Sequence, residues 1–170
     1  VVLISGPVAI PPPAGARLVS VVSAAEMQAA LEARFGWCEA LVMCAAVADW
    51  RPRRPRTLKI KKRGAPPVLH LVRTPDLLKR VSARKGERIL VGFAAETGPG
   101  FLKEAVRKRR QKRCDLVVGN DVTAPGAGFE VETNRVAFIA ADGVTRLPLM
   151  SKRDVGRRIV DWIEKQAAQR

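Results

Sequence analysis

The densest group of reactive side chains in the sequence is a basic loop that follows an apolar run. The run EALVMCAAVA ends at Asp49, and the next residues, WRPRRPRTLKIKKRG, carry many arginines and lysines. Lysines on a mobile loop can close over phosphate groups and stabilise negative charge in a transition state. A solvated charge run, or a patch that binds nucleic acid, has the same composition. Charge alone favours the solvated run for the KIKK segment, residues 59–62.

Other candidate binding residues each have a plain structural alternative. Asp49 could hold Mg²⁺ or a nucleotide's ribose or base edge, or it could cap the start of the loop. Lys108 and Lys112 have the spacing that puts two residues on one helix face, so they could clamp phosphate or lie in a solvated last turn. Phe93 could lie under a base or fill the core. Neither G-x-G-x-x-G nor a Walker A motif is present, so no standard dinucleotide or P-loop site is indicated.

Composition limits the class of protein. The 170 residues are 47% hydrophobic, enough for one domain with its own core, and the net charge of +15 favours an anionic partner. The single histidine, His70, excludes a His-Cys metal cluster and disfavours a catalytic triad. The three cysteines form no C-x-x-C pair, which fits free thiols in a reducing cytosol, so we expect a cytoplasmic protein. No apolar run reaches the roughly 20 residues of a membrane span, and no signal peptide is recognised.

The elements that must position these residues alternate between strand and helix. Helix boundaries are predicted from a capping box at Ser23 to Glu26, from Thr74-Pro75, from Gly98-Pro99-Gly100 and from Ser151 to Asp154. Strands are predicted at 1–5, 16–22, 39–48, 67–72, 88–96 and 114–121. After Gly126 the apolar period becomes two, with a turn at Ala141-Asp142-Gly143, which predicts antiparallel strands. The sequence therefore predicts a single α/β domain, residues 1–170, with a Rossmann-like, mostly parallel sheet and a C-terminal antiparallel segment.

This topology predicts where a ligand binds. In open α/β sheets ligands bind beyond the carboxyl ends of the strands, and the basic loop leaves the predicted sheet at that edge. The strand-end groups expected to converge there are Ser5-Gly6-Pro7, Ala45 to Asp49, Phe93 to Thr97, and Asn120-Asp121.

Six short motifs stand in one order along the chain: CAAVADWR, KIKK, TPDLL, VGFAAET, K-x-x-x-K and GND. This ordered set resembles the phosphopantothenate–cysteine ligase family of coenzyme A biosynthesis, also called phosphopantothenoylcysteine synthetase. The resemblance covers nearly all 170 residues. In most bacteria the family domain is the C-terminal half of a bifunctional protein, fused behind a flavin-dependent decarboxylase.

The resemblance implies a reaction and its partners. The family, which is unrelated to the ATP-grasp ligases, joins 4'-phosphopantothenate to L-cysteine; bacterial members use CTP and Mg²⁺, and eukaryotic members mostly use ATP. The substrate carboxylate attacks the α-phosphate to give an acyl-cytidylate and pyrophosphate, and the cysteine amine then displaces CMP. The family is usually a homodimer, with the antiparallel segment near the dimer contact.

The resemblance also implies residue roles. Lys59 is the first lysine of the family's K-x-K-K motif, which contacts the nucleotide phosphates and acts in catalysis, and Asp49 resembles the acid that recognises the nucleotide. No metal ligand is assigned. The remaining positions implied for nucleotide binding are Met43, Cys44, Ala45, Pro75, Asp76, Leu77, Leu78, Phe93, Lys108 and Lys112.

The start of the chain departs from the family pattern. Family members begin with a Gly-Gly-Thr loop, an Asn-bearing segment similar to S-S-G-K, and a first helix, whereas this chain opens at the following strand, VVLISGPV. The resemblance implies that the first strand, the phosphate loop and the catalytic Asn are missing here, which would expose apolar surface and a backbone edge. Two other functions remain open: a domain that binds CTP without full catalysis, and a basic nucleic-acid-binding α/β domain. The basic loop holds only one aromatic residue, Trp50, which counts against the second.

Overall fold

A computed structural model gives the structure of the protein for residues 1–62, 66–96, 98, 100–123, 125–127 and 131–170. Some residues of the segments named above lie outside the described residues, namely Arg63 and Gly64 of the basic loop, Thr97, Pro99 and residues 128–130. The helices are α1 (Ala24–Phe35), α2 (Leu77–Ser82), α3 (Phe101–Gln111) and α4 (Lys152–Ala167). The strands are β1 (Val2–Ser5), β2 (Arg17–Ser20), β3 (Ala40–Met43), β4 (Trp50–Pro52), β5 (Leu71–Arg73), β6 (Ile89–Glu96), β7 (Leu116–Asp121), β8 (Thr133–Asn134), β9 (Val136–Ile139), β10 (Val144–Arg146) and β11 (Met150–Ser151).

The chain divides into two compact units. Unit 1 comprises Val1–Leu31 and Ala45–Leu77, and unit 2 comprises Glu32–Cys44 and Leu78–Arg170. Among the described helices, none is long and apolar enough to cross a membrane.

A five-stranded sheet forms the centre of unit 2. Its strand order is β10-β9-β7-β6-β3, in which β3, β6 and β7 are parallel and β9 and β10 are antiparallel. The apolar runs of β6 and β7 are buried on both faces, as expected for strands covered by helices, and Leu90, Val91, Leu116 and Val118 have no exposed surface. This arrangement confirms the predicted fold class, a mostly parallel α/β sheet with a C-terminal antiparallel segment.

Helices α3 and α4 are held to the sheet by small and apolar side chains. Gly119 of β7 allows close approach of α3, because a Cβ atom added there would lie 3.3 Å from the Cβ atom of Ala105. Val155 and Ile159 of α4 join the core cluster of the sheet. The predicted cap of α4 is confirmed, since the Oγ atom of Ser151 accepts a hydrogen bond from the backbone N–H of Asp154 at 3.0 Å.

Unit 1 contains two small sheets. Strands β1 and β2 pair in parallel, and β4 and β5 form an antiparallel ribbon. The capping box that begins α1 is present: Ser23 Oγ accepts from the N–H of Glu26, and the Glu26 carboxylate accepts from the N–H of Val22 at 2.8 Å. The bond from the N–H of Val22, followed by one that the Ser23 hydroxyl donates to the carboxylate at 2.9 Å, lowers the pKa of Glu26.

Three predicted boundaries were wrong. The strand predicted at 39–48 ends at Met43, because only four of its residues pair with β6 and the chain then passes into unit 1. The strand predicted at 67–72 is confined to β5, and its partner β4 lies in a segment predicted as loop. The helix predicted to begin at Thr74-Pro75 begins instead at Leu77, because the N–H of Thr74 is bonded to the carbonyl of Asp49.

Candidate functional site

The carboxyl edge of the sheet in unit 2 collects several of the predicted site residues. Met43 at the end of β3 is level with Gly92 of β6, so it lies beside the strand position of Phe93. Residues 93–96 of β6 are in register with residues 118–121 of β7. The strand-end groups at 93–96 and 120–121 therefore lie at one edge, as the sequence predicts. Met43 is half-buried and Cys44, which follows it, is exposed.

Phe93 is half-buried and packs against the core cluster shared by the sheet and α4. Phe93 therefore contributes to the core, which was the structural alternative for this residue. The remaining exposed part lies near the carboxyl end of β6, where a base could contact it.

An ion pair between Glu96 and Lys108 stands at the same edge. Glu96 is the last residue of β6, and the Nζ atom of Lys108 on α3 bonds its Oε1 atom. The side chains of Glu96 and Lys108 are 24% and 30% exposed, so both are partly accessible to solvent. Side chains on a helix point towards its N-terminus, which lets Lys108 reach back to the end of β6.

Lys112 shares the helix face of Lys108 but lies one turn further along. It is the C-cap residue of α3, and its N–H bonds the carbonyl of Lys108 at 2.9 Å. Its backbone is therefore about 6 Å further along the helix axis than that of Lys108. The two lysines therefore lie about one helical turn apart on α3.

Asp121 closes the carboxyl end of β7 with a turn. Its Oδ1 atom accepts from the hydroxyl and the N–H of Thr123, at 2.6 and 2.9 Å, and from the N–H of Gly98 at 3.3 Å. These bonds, that from the Thr123 hydroxyl first, hold the pKa of Asp121 below its ordinary value. The carboxylate thereby joins the turn after β7 to Gly98, which precedes α3.

Asn120 is a candidate that the residue assignments above did not include. It is 7% exposed, and its side chain forms no hydrogen bond with any described residue. The signal available in the sequence was its position, a polar residue that ends a buried apolar strand.

The ribbon β4–β5 in unit 1 brings Asp49 beside the start of TPDLL. The carbonyl of Asp49 accepts from the N–H of Thr74 at 2.8 Å, and the Arg73 guanidinium lies 5.4 Å from the centre of the Trp50 ring, directly across the ribbon. The carboxylate of Asp49 is exposed and pairs with no cation in the described part of the chain.

Lys59 lies in the long arm between the two strands of the ribbon. Pro52 pairs with Leu71, and the N–H of Arg53 bonds the carbonyl of His70 at 2.8 Å, so residues 54–62 and 66–69 lie between the two paired strands. Lys59 is exposed and has no ion-pair partner among the described residues. The described residues of this arm form no helix or strand, and long connections of this kind are typical of binding loops and lids.

The PDLL residues divide into exposed and buried positions. Pro75 and Asp76 precede α2 and are exposed, as is Ala45. Leu77 and Leu78 are 3% and 7% exposed, and the Leu78 side chain lies close to Gly92. The two leucine side chains are core residues, so only their backbone groups are available to a ligand.

The side chains offer no prebuilt metal cage. No group of three His, Cys, Asp or Glu side chains that could hold a metal ion occurs among the described residues. Mg²⁺ needs only one or two carboxylates when nucleotide phosphates complete its coordination, and the exposed carboxylate of Asp49 meets that requirement. The residues present therefore fit a magnesium ion that arrives with a nucleotide.

Comparison with known proteins identifies close relatives. The family model described as "DNA/pantothenate metabolism flavoprotein C-terminal domain" matches residues 1–167. The coenzyme A biosynthesis bifunctional protein CoaBC of Bacillus subtilis is 43% identical over 175 residues, which cover 100% of this chain and 43% of that protein. The chain thus spans less than half the length of the curated relatives it matches.

Solved structures agree in fold. The C-terminal domain of a CoaBC protein, its phosphopantothenoylcysteine synthetase part, matches with a TM-score of 0.82 and 33% identity, over 99% of this chain and 75% of that one. A Cab2 mutant in complex with phosphopantothenate-cysteine matches with a TM-score of 0.66 over 91% of this chain and 55% of that one. Its identity is 17%, so this likeness shows the fold alone. The resemblance carried by the six motifs is confirmed, and the chain belongs to the family of DNA/pantothenate metabolism flavoprotein C-terminal domains.

Proposed function

We propose that this chain is the ligase domain that joins 4'-phosphopantothenate to L-cysteine in coenzyme A biosynthesis, with CTP as the activating nucleotide and Mg²⁺ as its counter-ion. The observation that carries the proposal is membership of a family whose relative in Bacillus subtilis is a bifunctional coenzyme A biosynthesis protein, 43% identical across the whole of this chain. The Cab2 complex with phosphopantothenate-cysteine, which has the same fold, is consistent with that product.

The chemistry requires positioning and charge neutralisation rather than a protein nucleophile. In the first step an oxygen of the substrate carboxylate forms a bond to the α-phosphorus of CTP, and the bond to pyrophosphate breaks. In the second step the cysteine amine attacks the acyl carbon, CMP leaves, and the amine loses a proton to solvent. Both reactants are anions, so the main barrier is to bring them together and to stabilise the charge on the phosphates.

Unit 1 carries two residues that suit this task. Lys59, exposed on the arm of the ribbon, would bring its ammonium group to the phosphates when the arm closes. Asp49 would contact the nucleotide or its magnesium ion. In unit 2, the exposed part of Phe93 would offer an aromatic surface to a base.

Two assembly properties belong to the same proposal. The family resemblance implies a homodimer, and the short strands β8 to β11 are the segment that would lie near its contact. The relative in Bacillus subtilis is bifunctional, and 57% of its length lies outside the match. A flavin-dependent decarboxylase, fused or separate, would supply the second activity of such a protein.

Formation of the amide product tests the proposal. We would incubate the 170-residue chain with CTP, Mg²⁺, 4'-phosphopantothenate and L-cysteine, and measure the product by mass spectrometry. Lys59→Ala should reduce the rate about 100-fold or more, the usual effect of losing a group that stabilises transition-state charge. Lys103→Ala, which removes an exposed lysine of α3, is the matched control and should retain the rate. Equal rates for Lys59→Ala and the unmodified chain would contradict the role of the arm.

A chain that binds CTP and yet releases neither pyrophosphate nor amide product would instead be a nucleotide-binding domain without catalysis. That outcome would retain the nucleotide site and remove the ligase activity from these residues. Titration with CTP, performed on the same preparation, separates this result from complete absence of a site.

A further inference from the structure

The pair formed by Glu96 and Lys108 has unused hydrogen-bonding capacity at the ligand edge. Glu96 Oε1 bonds the ammonium group, and the second oxygen of the carboxylate has no hydrogen bond within the described residues. The ammonium group of a lysine has three donors, of which this bond uses one. The partly exposed pair therefore has one charged acceptor and two charged donors that bond no described residue.

A neutral ion pair is poorly suited to bind phosphate. The carboxylate of Glu96 cancels the charge of Lys108 and would repel an anion placed against both groups. A second carboxylate, that of Glu104, lies on the same helix and bonds Arg107, so the neighbouring cation is also compensated. The edge formed by β6 and α3 is thus less favourable for phosphates than the exposed lysines of the arm in unit 1.

The same pair is well suited to bind sugar hydroxyl groups. A hydroxyl group both donates and accepts, so adjacent hydroxyls can donate to a carboxylate while they accept from an ammonium group. In open α/β sheets an acidic residue near a strand's carboxyl end commonly accepts from a ribose hydroxyl. Glu96 has this position, since it is the last residue of β6.

We propose that Glu96 and Lys108 together bind the ribose hydroxyls of the nucleotide, so that Glu96 makes the site selective for ribonucleotides over 2'-deoxyribonucleotides. The inference rests on the proposed function, because it assumes that a nucleotide binds at this edge. In this proposal Glu96 binds the nucleotide, and Lys108 contacts a ribose hydroxyl rather than a phosphate.

Binding of two nucleotides to two proteins tests this inference. We would titrate the chain and its Glu96→Gln variant calorimetrically with CTP and with 2'-deoxyCTP, both with Mg²⁺. Glutamine keeps an oxygen that can accept from Lys108 and removes the negative charge. The substitution therefore weakens the charge-assisted hydrogen bond from the ribose hydroxyl. The unmodified chain should bind CTP about 10- to 100-fold more tightly than 2'-deoxyCTP, which is the range for hydrogen bonds to charged groups. In Glu96→Gln this ratio should fall to within about threefold of unity, through weaker binding of CTP.

Other results would overturn the inference. Equal affinity of the unmodified chain for both nucleotides, or a ratio that survives in Glu96→Gln, would show that Glu96 does not contact the hydroxyl. Tighter binding of both nucleotides by Glu96→Gln would show that its carboxylate competes with the ligand. If the unmodified chain bound neither CTP nor ATP, the proposed function would fall as well, so the two failures are distinguishable.

Glu104→Gln is the matched control. It removes a carboxylate that bonds Arg107 on the same helix, and it leaves the last residue of β6 unchanged. Its ratio of affinities should equal that of the unmodified chain. Circular dichroism of each variant, with its unfolding midpoint in urea, verifies that the fold is retained.

Discussion

Asp115 ties together three segments at the amino edge of the sheet in unit 2, and its removal should destabilise the protein. Its Oδ2 atom accepts from the N–H of Leu90 at 2.7 Å, and its Oδ1 atom pairs with Lys85 at 2.6 Å and Arg170 at 3.1 Å. Leu90 has no exposed surface, and its N–H loses this hydrogen-bond partner when the carboxylate is removed. The effect of Asp115→Ala can therefore be divided into a buried hydrogen bond and two partly exposed ion pairs.

The two contributions have different sizes. A hydrogen bond from a buried N–H to a carboxylate stabilises by about 1.5–3 kcal/mol, while each partly exposed ion pair adds about 0–1 kcal/mol. We expect Asp115→Ala to lower the free energy of unfolding by about 2–4 kcal/mol. Asp115→Asn keeps an oxygen for Leu90 and loses only the charge, so it should cost about 1 kcal/mol. Urea unfolding followed by circular dichroism measures both values.

The comparison of the two variants is decisive. If Asp115→Asn cost as much as Asp115→Ala, the ion pairs would dominate and the role of the buried N–H would be refuted. A cost below about 1 kcal/mol for Asp115→Ala would refute the whole account of this contact. At this chain length each kcal/mol corresponds to about 2–4 °C in the unfolding midpoint, so thermal unfolding provides a second readout.

Three further predictions concern the scaffold. Gly119→Ala would place a Cβ atom 3.3 Å from that of Ala105 and force α3 away from the sheet, so we expect the free energy of unfolding in urea to fall by about 1–3 kcal/mol. An unchanged unfolding midpoint would mean that the helix shifts without cost. Arg113 follows α3 with a φ of 49°, a left-handed conformation that favours glycine, so Arg113→Gly should stabilise the protein by about 0.5–1 kcal/mol in the same assay; destabilisation would contradict this account. The hydrogen bond from the Ser151 hydroxyl is the main cause that lowers the pKa of Asp154. This carboxylate therefore stabilises the fold fully above its unfolded pKa, near 4, and the contribution is lost as the pH falls through the lower folded pKa. Ser151→Ala should therefore lose about 1 kcal/mol of stability at pH 7 and show a smaller further loss between pH 5 and pH 3, measured by thermal unfolding, whereas an unchanged pH dependence would rule out this coupling.

The parts of the fold that the sequence could predict are those with local signals. The capping sequences at Ser23 and Ser151 define helix starts within a few residues, and both caps are present. The continuous apolar runs of β6 and β7 predict strands buried on both faces, and their parallel pairing follows from the helix between them. The turn at Gly143, which has a φ of 140°, was visible because only glycine adopts that conformation readily.

The parts that could not be predicted depend on contacts between distant residues. Strand β4 has three residues, ends in a proline and pairs with residues about twenty positions away, so neither period nor propensity indicates it. The ion pair of Glu96 and Lys108 depends on how closely α3 approaches the sheet at Gly119, which is a tertiary contact. The buried state of Asn120 also depends on its neighbours in the fold. The sequence thus predicts the edge at which the candidates of unit 2 lie, but not which of their groups are already occupied.

The measurement that tests the central claim most directly is pyrophosphate release from CTP by the 170-residue chain, with 4'-phosphopantothenate and Mg²⁺ present and cysteine omitted, followed by the same assay with ATP. The account predicts release that requires 4'-phosphopantothenate and is faster with CTP than with ATP, because the first chemical step is activation of the substrate carboxylate by CTP. Absence of release with either nucleotide, in a preparation that binds CTP, would contradict the claim that these residues carry out the activation step.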